Sequence, residues 1–173
     1  MNDDTGALIV RHERADEAAA IAALVADAFG RDAEARLVDR LRAAGVLTSS
    51  LVATTAGTLI GHVALSPVGI GGQSGPWLGL APLAVHPAWR RRGIGALLVR
   101  HAVDAAAAAG AEAVFVLGEP GYYGRLGFEE ACPLGWRCVY AVTAAAFRVQ
   151  RLGDRSGLPR TGTVRYHPEF DAL

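Results

Sequence analysis

The chain has 173 residues, of which 51% are hydrophobic and 20% charged, the balance of a well-packed globular protein rather than a disordered one. Its 17 basic residues, all arginine, offset 17 acidic ones to a formal net charge of +0, which speaks against a nucleic-acid surface, and no apolar run reaches the roughly 18 to 20 residues of a membrane span. A single domain over residues 1–173 is expected, with 153–173 as a partly extended tail. The polar start Met1-Asn2-Asp3-Asp4-Thr5 lacks the basic and apolar regions of a secretory signal, so a cytoplasmic location is expected.

Leu8 to His12 reads as a first strand. Asp16 is placed to cap a helix whose apolar stripe is Ile21, Leu24, Val25, Ala28 and Phe29, ended by Gly30. A second helix is expected over Ala33–Ala43, with Leu37, Val38 and Leu41 inward and Gly45 after it. Strands follow at Leu51–Thr54 and Leu59–Ile70, joined by Ala56-Gly57 as a hairpin turn. Leu78–Val85 is a longer apolar strand interrupted by Pro82. Proline cannot donate to a central ladder, so a bulge or opening is expected there.

Next comes Arg90-Arg91-Arg92-Gly93-Ile94-Gly95-Ala96, the start of a helix running to Ala109. Three cations on a helix N-terminus, which itself carries roughly +0.5 of an elementary charge, are mutually repulsive unless an anion is bound. The two glycines remove Cβ atoms where backbone N–H groups would approach a ligand, so the segment reads as a diphosphate cradle. A P-loop is excluded because the chain has no lysine, and the G-x-G-x-x-G fingerprint fails at Leu98. His101 lies on the expected inner stripe with Ile94, Leu97, Leu98, Ala102 and Ala105, as a packed histidine.

Ala113–Leu117 is continuously apolar, as in a buried central strand. A turn at Gly118–Gly121 and one helical turn at Tyr122–Leu126 follow, then a strand beginning at Gly127-Phe128. A later strand is expected around Phe147–Leu152, and Thr163–Tyr166 as an edge strand before a polar extension; an exposed edge of this kind suits a homodimer. Cys132 and Cys138 bracket Pro133–Arg137 without further cysteines or a histidine cluster, which suits packed thiols better than a metal site. The order gives an α/β fold with a mixed, largely antiparallel central sheet flanked by helices and a bulged strand before the phosphate-binding loop.

Two segments make the chain resemble the GNAT superfamily of N-acetyltransferases. Leu83-Ala84-Val85 leading into Arg90-Arg91-Arg92-Gly93-Ile94-Gly95 is similar to the family's acetyl-CoA segment, and Tyr123-Gly124-Arg125-Leu126-Gly127-Phe128 to its Y-x-x-x-G-F ending. Gly118-Glu119-Pro120 ahead of the tyrosines resembles a bacterial subgroup of predicted acetyltransferases with unassigned substrates. The resemblance implies acetyl-CoA as cosubstrate, no metal, and acetyl transfer to a primary amine by direct attack in a ternary complex. It places the pyrophosphate on the amides of Arg91, Arg92, Gly93, Ile94, Gly95 and Ala96, with the side chains of Arg90, Arg91 and Arg92 near the 3′-phosphate or solvent. The pantetheine arm would pair with the backbone of Leu83, Ala84 and Val85.

Acetyl transfer from a thioester needs oxyanion stabilisation and a proton for the departing thiolate. The Val85 N–H is the candidate oxyanion donor and Tyr123 the candidate general acid, since a phenol with pKa ~10 is protonated at neutral pH. Tyr122 is expected as a pocket wall. The glutamate that some family members carry before the phosphate loop is absent from Gly79-Leu80-Ala81-Pro82. Glu119 is the nearest substitute as base, with capping of the following helix as the other reading; His62 and His86 are weaker candidates, and an amine can also lose its proton through water. The break Phe29-Gly30-Arg31-Asp32 is the expected acceptor rim, where Asp27, Asp32 or Glu34 would attract a cationic amine. Two other readings use the same residues. One is a non-catalytic acyl-CoA-binding or sensing domain, the other an interaction domain whose arginines dock an acidic partner.

Overall fold

The computed structural model describes residues 6–173; the polar start at 1–5, and with it the expectation about a leader, lies outside the described residues. A short first strand β1 (Ile9–His12) precedes α1 (Ala18–Phe29) and α2 (Ala33–Ala43). The hairpin β2 (Ser49–Thr55) and β3 (Thr58–Ile70) then turns at Ala56 and Gly57, both with positive φ (46° and 78°), the primed turn that matches strand twist. β4 (Gln73–Val85), α3 (Ile94–Ala108), β5 (Ala113–Leu117) and α4 (Pro120–Arg125) follow, then β6 (Glu129–Glu130), β7 (Trp136–Cys138), β8 (Phe147–Arg151) and β9 (Gly162–Arg165).

Seven strands run in the spatial order β1-β2-β3-β4-β5-β8-β6, and β9 joins the far end of β3 while pairing with β7. Neighbours are antiparallel except β4 with β5 and β7 with β9. α3 packs on one face, where Leu98, Val99 and Ala102 meet Val63, Leu65 and Val114. α1 and α2 cover the other face, through Ile21, Val25, Val38, Leu37 and Leu41. Burial of about ten aliphatic side chains at roughly 1.5 to 3 kcal/mol each makes these contacts, not helix propensity, the main support of the helices.

Several expectations shift on contact with the fold. Asp16 does not cap α1; a 3₁₀ turn at Ala15–Glu17 precedes it, and the Glu17 carboxylate accepts the Arg14 N–H (2.7 Å) and pairs with Arg11. Phe29 leaves the inner stripe and stands 42% exposed. His101 is exposed as well, because α3 turns Leu98, Val99, Ala102, Val103 and Ala106 inward, a stripe displaced from the expected one. The strand expected at Gly127-Phe128 begins at Glu129, and β7 has no counterpart among the expected elements.

The C-terminal segment is not a polar extension. Tyr166 and Phe170 are buried (3% and 6% exposed), and the Arg40–Glu169 ion pair (2.8 Å) ties the final 3₁₀ turn, Pro168–Ala172, to α2. β9 is hydrogen-bonded on both sides, to β3 and β7, so it offers no free edge to a second copy. Cys132 and Cys138 are free, half-buried thiols.

Candidate active site

The site begins where the central ladder fails. β4 and β5 pair at Trp77–Ala113, Leu78–Val114 and Gly79–Phe115, and then separate, although β4 continues to Val85 and β5 to Leu117. The cause lies on the opposite edge of β4. Val63 faces Leu83 while Leu65 faces Leu80, so β4 carries an extra residue at Ala81-Pro82, and Pro82 has no N–H to give. The expected bulge is there, and it opens a V between two parallel strands.

Ladder alternation decides which backbone groups face the opening. His86 N–H donates to the Ile60 carbonyl (2.9 Å), which makes 86 with 60, and therefore 84 with 62, the hydrogen-bonded pairs. Leu83 and Val85 consequently turn their N–H and C=O groups away from β3, toward the V. Ala84 does not: its backbone is spent on His62, which corrects its place in the strand expected to meet an extended ligand. The Val85 carbonyl accepts Arg90 Nε (3.4 Å), leaving the Val85 N–H directed into the opening.

Past β4, the His86 Nδ1 accepts the Ala88 N–H (3.2 Å) and so steadies a 3₁₀ turn, a structural role rather than a catalytic one. Arg91 and Gly93 have φ of 60° and 78°, and the Leu97 N–H to Gly93 carbonyl bond (3.0 Å) opens the α3 ladder. The N–H groups of the first turn are thus left as anion donors. The three arginines do not act alike. Arg90 reaches the Ala28 carbonyl at the end of α1, where a cation complements the helix dipole. Arg92 lies over the Trp89 ring, 4.8 Å from its centroid. Arg91 alone of the three has no side-chain partner among the described residues.

α4 docks onto this turn. Glu119 caps it, accepting the N–H groups of Gly121 (2.8 Å) and Tyr122, and those two bonds hold its carboxyl below the usual range. The capping reading is therefore the one the geometry carries, and a carboxylate stabilised in its charged form is a poor base. The Tyr122 hydroxyl rests against Gly95, where a Cβ would stand 2.5 Å away. Tyr123 lies on Gly118, where a Cβ would stand 2.3 Å from its ring, and meets Tyr122 and Phe128 edge-on at 5.0 and 5.6 Å. Burial pushes the Tyr123 phenol well above its ordinary range, so it keeps its proton.

A cavity of about 740 Å³ occupies the V, a size typical of small-molecule sites. Leu83, Glu119 and Tyr123 line it as expected, and so does Glu34, whose carboxylate is held by Arg31. Asp32 instead pairs with Arg36 and, like Asp27, is outside the lining. His62 is fully buried outside the cavity, with Nε2 2.8 Å from Ser50 Oγ. Residues with no expected role, Tyr140, Tyr166, Phe170 and Asp171, complete the wall. The only local hint of them is the aromatic spacing Tyr166–Phe170 in an otherwise polar tail. Among the described residues no group of three His, Cys, Asp or Glu could hold a metal ion, and no helix is long and apolar enough to cross a membrane.

Residues 16–128 match the acetyltransferase (GNAT) family. YhbS of Escherichia coli K12, named as an uncharacterized N-acetyltransferase, is 42% identical over 165 residues, 95% of this chain and 99% of its own. The crystal structure of Escherichia coli YhbS in complex with CoA superposes with a TM-score of 0.91 at 41% identity, covering 99% of this chain and 96% of that one. A GNAT family acetyltransferase from Brucella melitensis, in complex with acetyl-CoA, gives 0.82 at 37% identity over 95% and 99% of the two chains.

Proposed function

Given that the chain belongs to the GNAT family of N-acetyltransferases, we propose that its V-shaped cleft takes acetyl-CoA as cosubstrate and a primary amine as acceptor, with direct transfer in a ternary complex. The observation that carries this reading is the separation of β4 from β5 after Gly79, with Tyr123 on the wall of the resulting cavity.

Acetyl-CoA supplies an acetyl group activated as a thioester. The first-turn amides from Arg91 to Ala96 and the Arg91 guanidinium, without a side-chain partner among the described residues, are suited to its phosphates, because a helix N-terminus attracts anions. Leu83 offers the N–H and C=O groups that an extended amide chain needs to add itself as a strand, and the Val85 N–H lies further along the same edge. The Val85 N–H then stabilises negative charge developing on the acetyl oxygen. Tyr123 gives its proton to the leaving sulfur. Its raised pKa is compatible with that transfer, because a thiolate in the same low-dielectric cavity is also a stronger base than in water. Glu119 receives no proton in this scheme. It holds α4, and so Tyr123, against Gly118 and the start of α3. The amine proton leaves to water at the cavity mouth.

The test is Tyr123→Phe. Removing one hydroxyl from a buried ring is expected to lower kcat by ~100-fold, as loss of a general acid does. Acetyl-CoA affinity by calorimetry should stay unchanged. Undiminished thiol release by the variant would remove Tyr123 from the mechanism.

A further inference from the structure

The acceptor end of the cavity has a chemical signature of its own. Among the described residues, the lining of the cavity as a whole contains three side-chain carboxylates, from Glu34, Glu119 and Asp171, and no arginine or histidine. Two of them are already occupied. Both Glu34 oxygens face Arg31, and both Glu119 oxygens cap α4. Asp171 accepts the Tyr140 hydroxyl through Oδ1 (3.0 Å), and its other oxygen has no partner among the described residues. It stands exposed at the rim. The remainder of this end is apolar or aromatic, with Phe29, Leu37, Leu80 and Phe170 around the space.

A second, independent feature lies deeper. Tyr166 is 3% exposed, and its hydroxyl has no hydrogen-bond partner among the described residues. Its ring packs on Gly79, where a Cβ would stand 2.5 Å from Cε1. Gly79 is the last rung joining β4 to β5, so Tyr166 sits at the floor of the V. A buried hydroxyl left unpaired costs about 1 to 3 kcal/mol, and Tyr166 is among the residues that line the cavity, which makes its hydroxyl an unsatisfied polar group beside the space a ligand would fill.

We infer that the acceptor is a small primary amine on an aromatic or branched apolar body without a negative charge, its nitrogen hydrogen-bonded by the Tyr166 hydroxyl at the floor of the V. The inference rests on the acetyl-transfer reading above. Charge complementarity selects the cation and rejects anions: an acceptor carboxylate would enter a space whose lining supplies like charge and no counter-ion. The apolar wall selects the body, since a polyamine would have to bury further charges there without partners. Asp171 attracts the cation at the mouth, and Tyr166 fixes the nitrogen inside.

The experiment follows thiol release from acetyl-CoA with four acceptors: phenethylamine, phenylalanine, spermidine and a short peptide with a free N-terminus. Phenethylamine and phenylalanine differ only in the carboxylate. The expected result is a kcat/KM for phenethylamine ~100-fold above that for each of the others, the scale of like-charge and unpaired-charge penalties. Equal or faster turnover of phenylalanine, spermidine or the peptide overturns the acceptor class, and so does bound acetyl-CoA with no turnover of phenethylamine. Failure to bind acetyl-CoA by calorimetry overturns the cosubstrate reading instead. In Tyr166→Phe, KM for phenethylamine should rise ~10-fold, the loss of one hydrogen bond to a polar ligand, with KM for acetyl-CoA unchanged. A parallel change in both constants, or in neither, removes Tyr166 from acceptor binding.

Discussion

The two halves of the cleft are made of different material. The half proposed to hold the donor is backbone: the turned-out groups of Leu83 and Val85 and the first-turn amides of α3, all within residues 83–96. The half proposed to hold the acceptor is side chains, brought from α1, α2, α4, the loop at Tyr140 and the last residues of the chain. Backbone donors tolerate side-chain replacement so long as the local path is kept. A wall of side chains can be altered one residue at a time without disturbing the strand beneath it. The difference teaches where selectivity can be changed: the acceptor half is open to substitution, while the donor half is protected by its own geometry.

The largest expected effect breaks the donor half through its buried support. His62, on β3 opposite Ala84 of β4, has its Nε2 2.8 Å from Ser50 Oγ, and the Ser50 hydroxyl donates to Glu13. Ser50 has one proton and spends it on Glu13, so Nε2 must carry the imidazole proton and Nδ1 is a buried lone pair without a partner among the described residues. Burial lowers the His62 pKa from 6.5 to about 4, only partly opposed by the Glu13 charge. Above pH ~6.5 the ring is neutral in both folded and unfolded chains. Between there and about 4 the unfolded chain takes up a proton that the fold refuses, at a cost of about 3 kcal/mol. Burial raises the Glu13 pKa, but hydrogen bonds from Arg42 and Ser50 outweigh it and leave the carboxyl below its usual range, so further stability is lost as pH falls through that range. Urea unfolding at pH 7, 5.5 and 4 measures the slope; a flat profile would show that His62 accepts a proton in place.

A smaller effect separates backbone from side chain within the donor half. Gly95→Val puts a Cβ where the Tyr122 hydroxyl lies, 2.5 Å away, and should weaken acetyl-CoA ~30-fold by displacing α4 from the helix start. Arg91→Ala removes one exposed charge and should cost less than ~5-fold, and that deficit should shrink further in high salt. Calorimetry on both variants checks the ranking, and a larger loss in Arg91→Ala would make the site electrostatic rather than backbone-built. The smallest change belongs to the acceptor half. Phe29→Ala, at a 42% exposed position, should raise the amine KM ~3-fold and leave thermal stability and acetyl-CoA affinity as they are.

The same contrast explains what the sequence reveals. The donor half is contiguous, and its residues are unusual for local reasons: arginines on a positive dipole, glycine inside a helix start, proline inside a strand. The arginines and the proline violate local preferences, and Gly95 just inside the helix start lowers its propensity; all three are visible in the sequence without the fold. The acceptor half breaks no local rule. Phe29 fits a helical stripe as well as any core residue, and it becomes cavity wall only because α1 ends at the V. Tyr166 and Phe170 sit in a tail whose return to α2 depends on a distant partner, Arg40. His101 shows a different limit: an alanine-rich helix has a broad apolar face, so periodicity places the inner stripe only to within about one residue.

The Arg92 guanidinium stacked on Trp89 has an optical consequence. The chain has three tryptophans, and two of them, Trp77 and Trp136, are sealed in the core at 2% and 3% exposure with their indole N–H groups bonded to Glu112 and the Pro159 carbonyl. Their emission is a constant background. Trp89 is the one in a partly open position, on the loop that precedes the phosphate turn. Any anion that draws Arg92 off the indole changes the field on that ring alone, so the protein carries a built-in fluorophore that reports filling of the turn without a label.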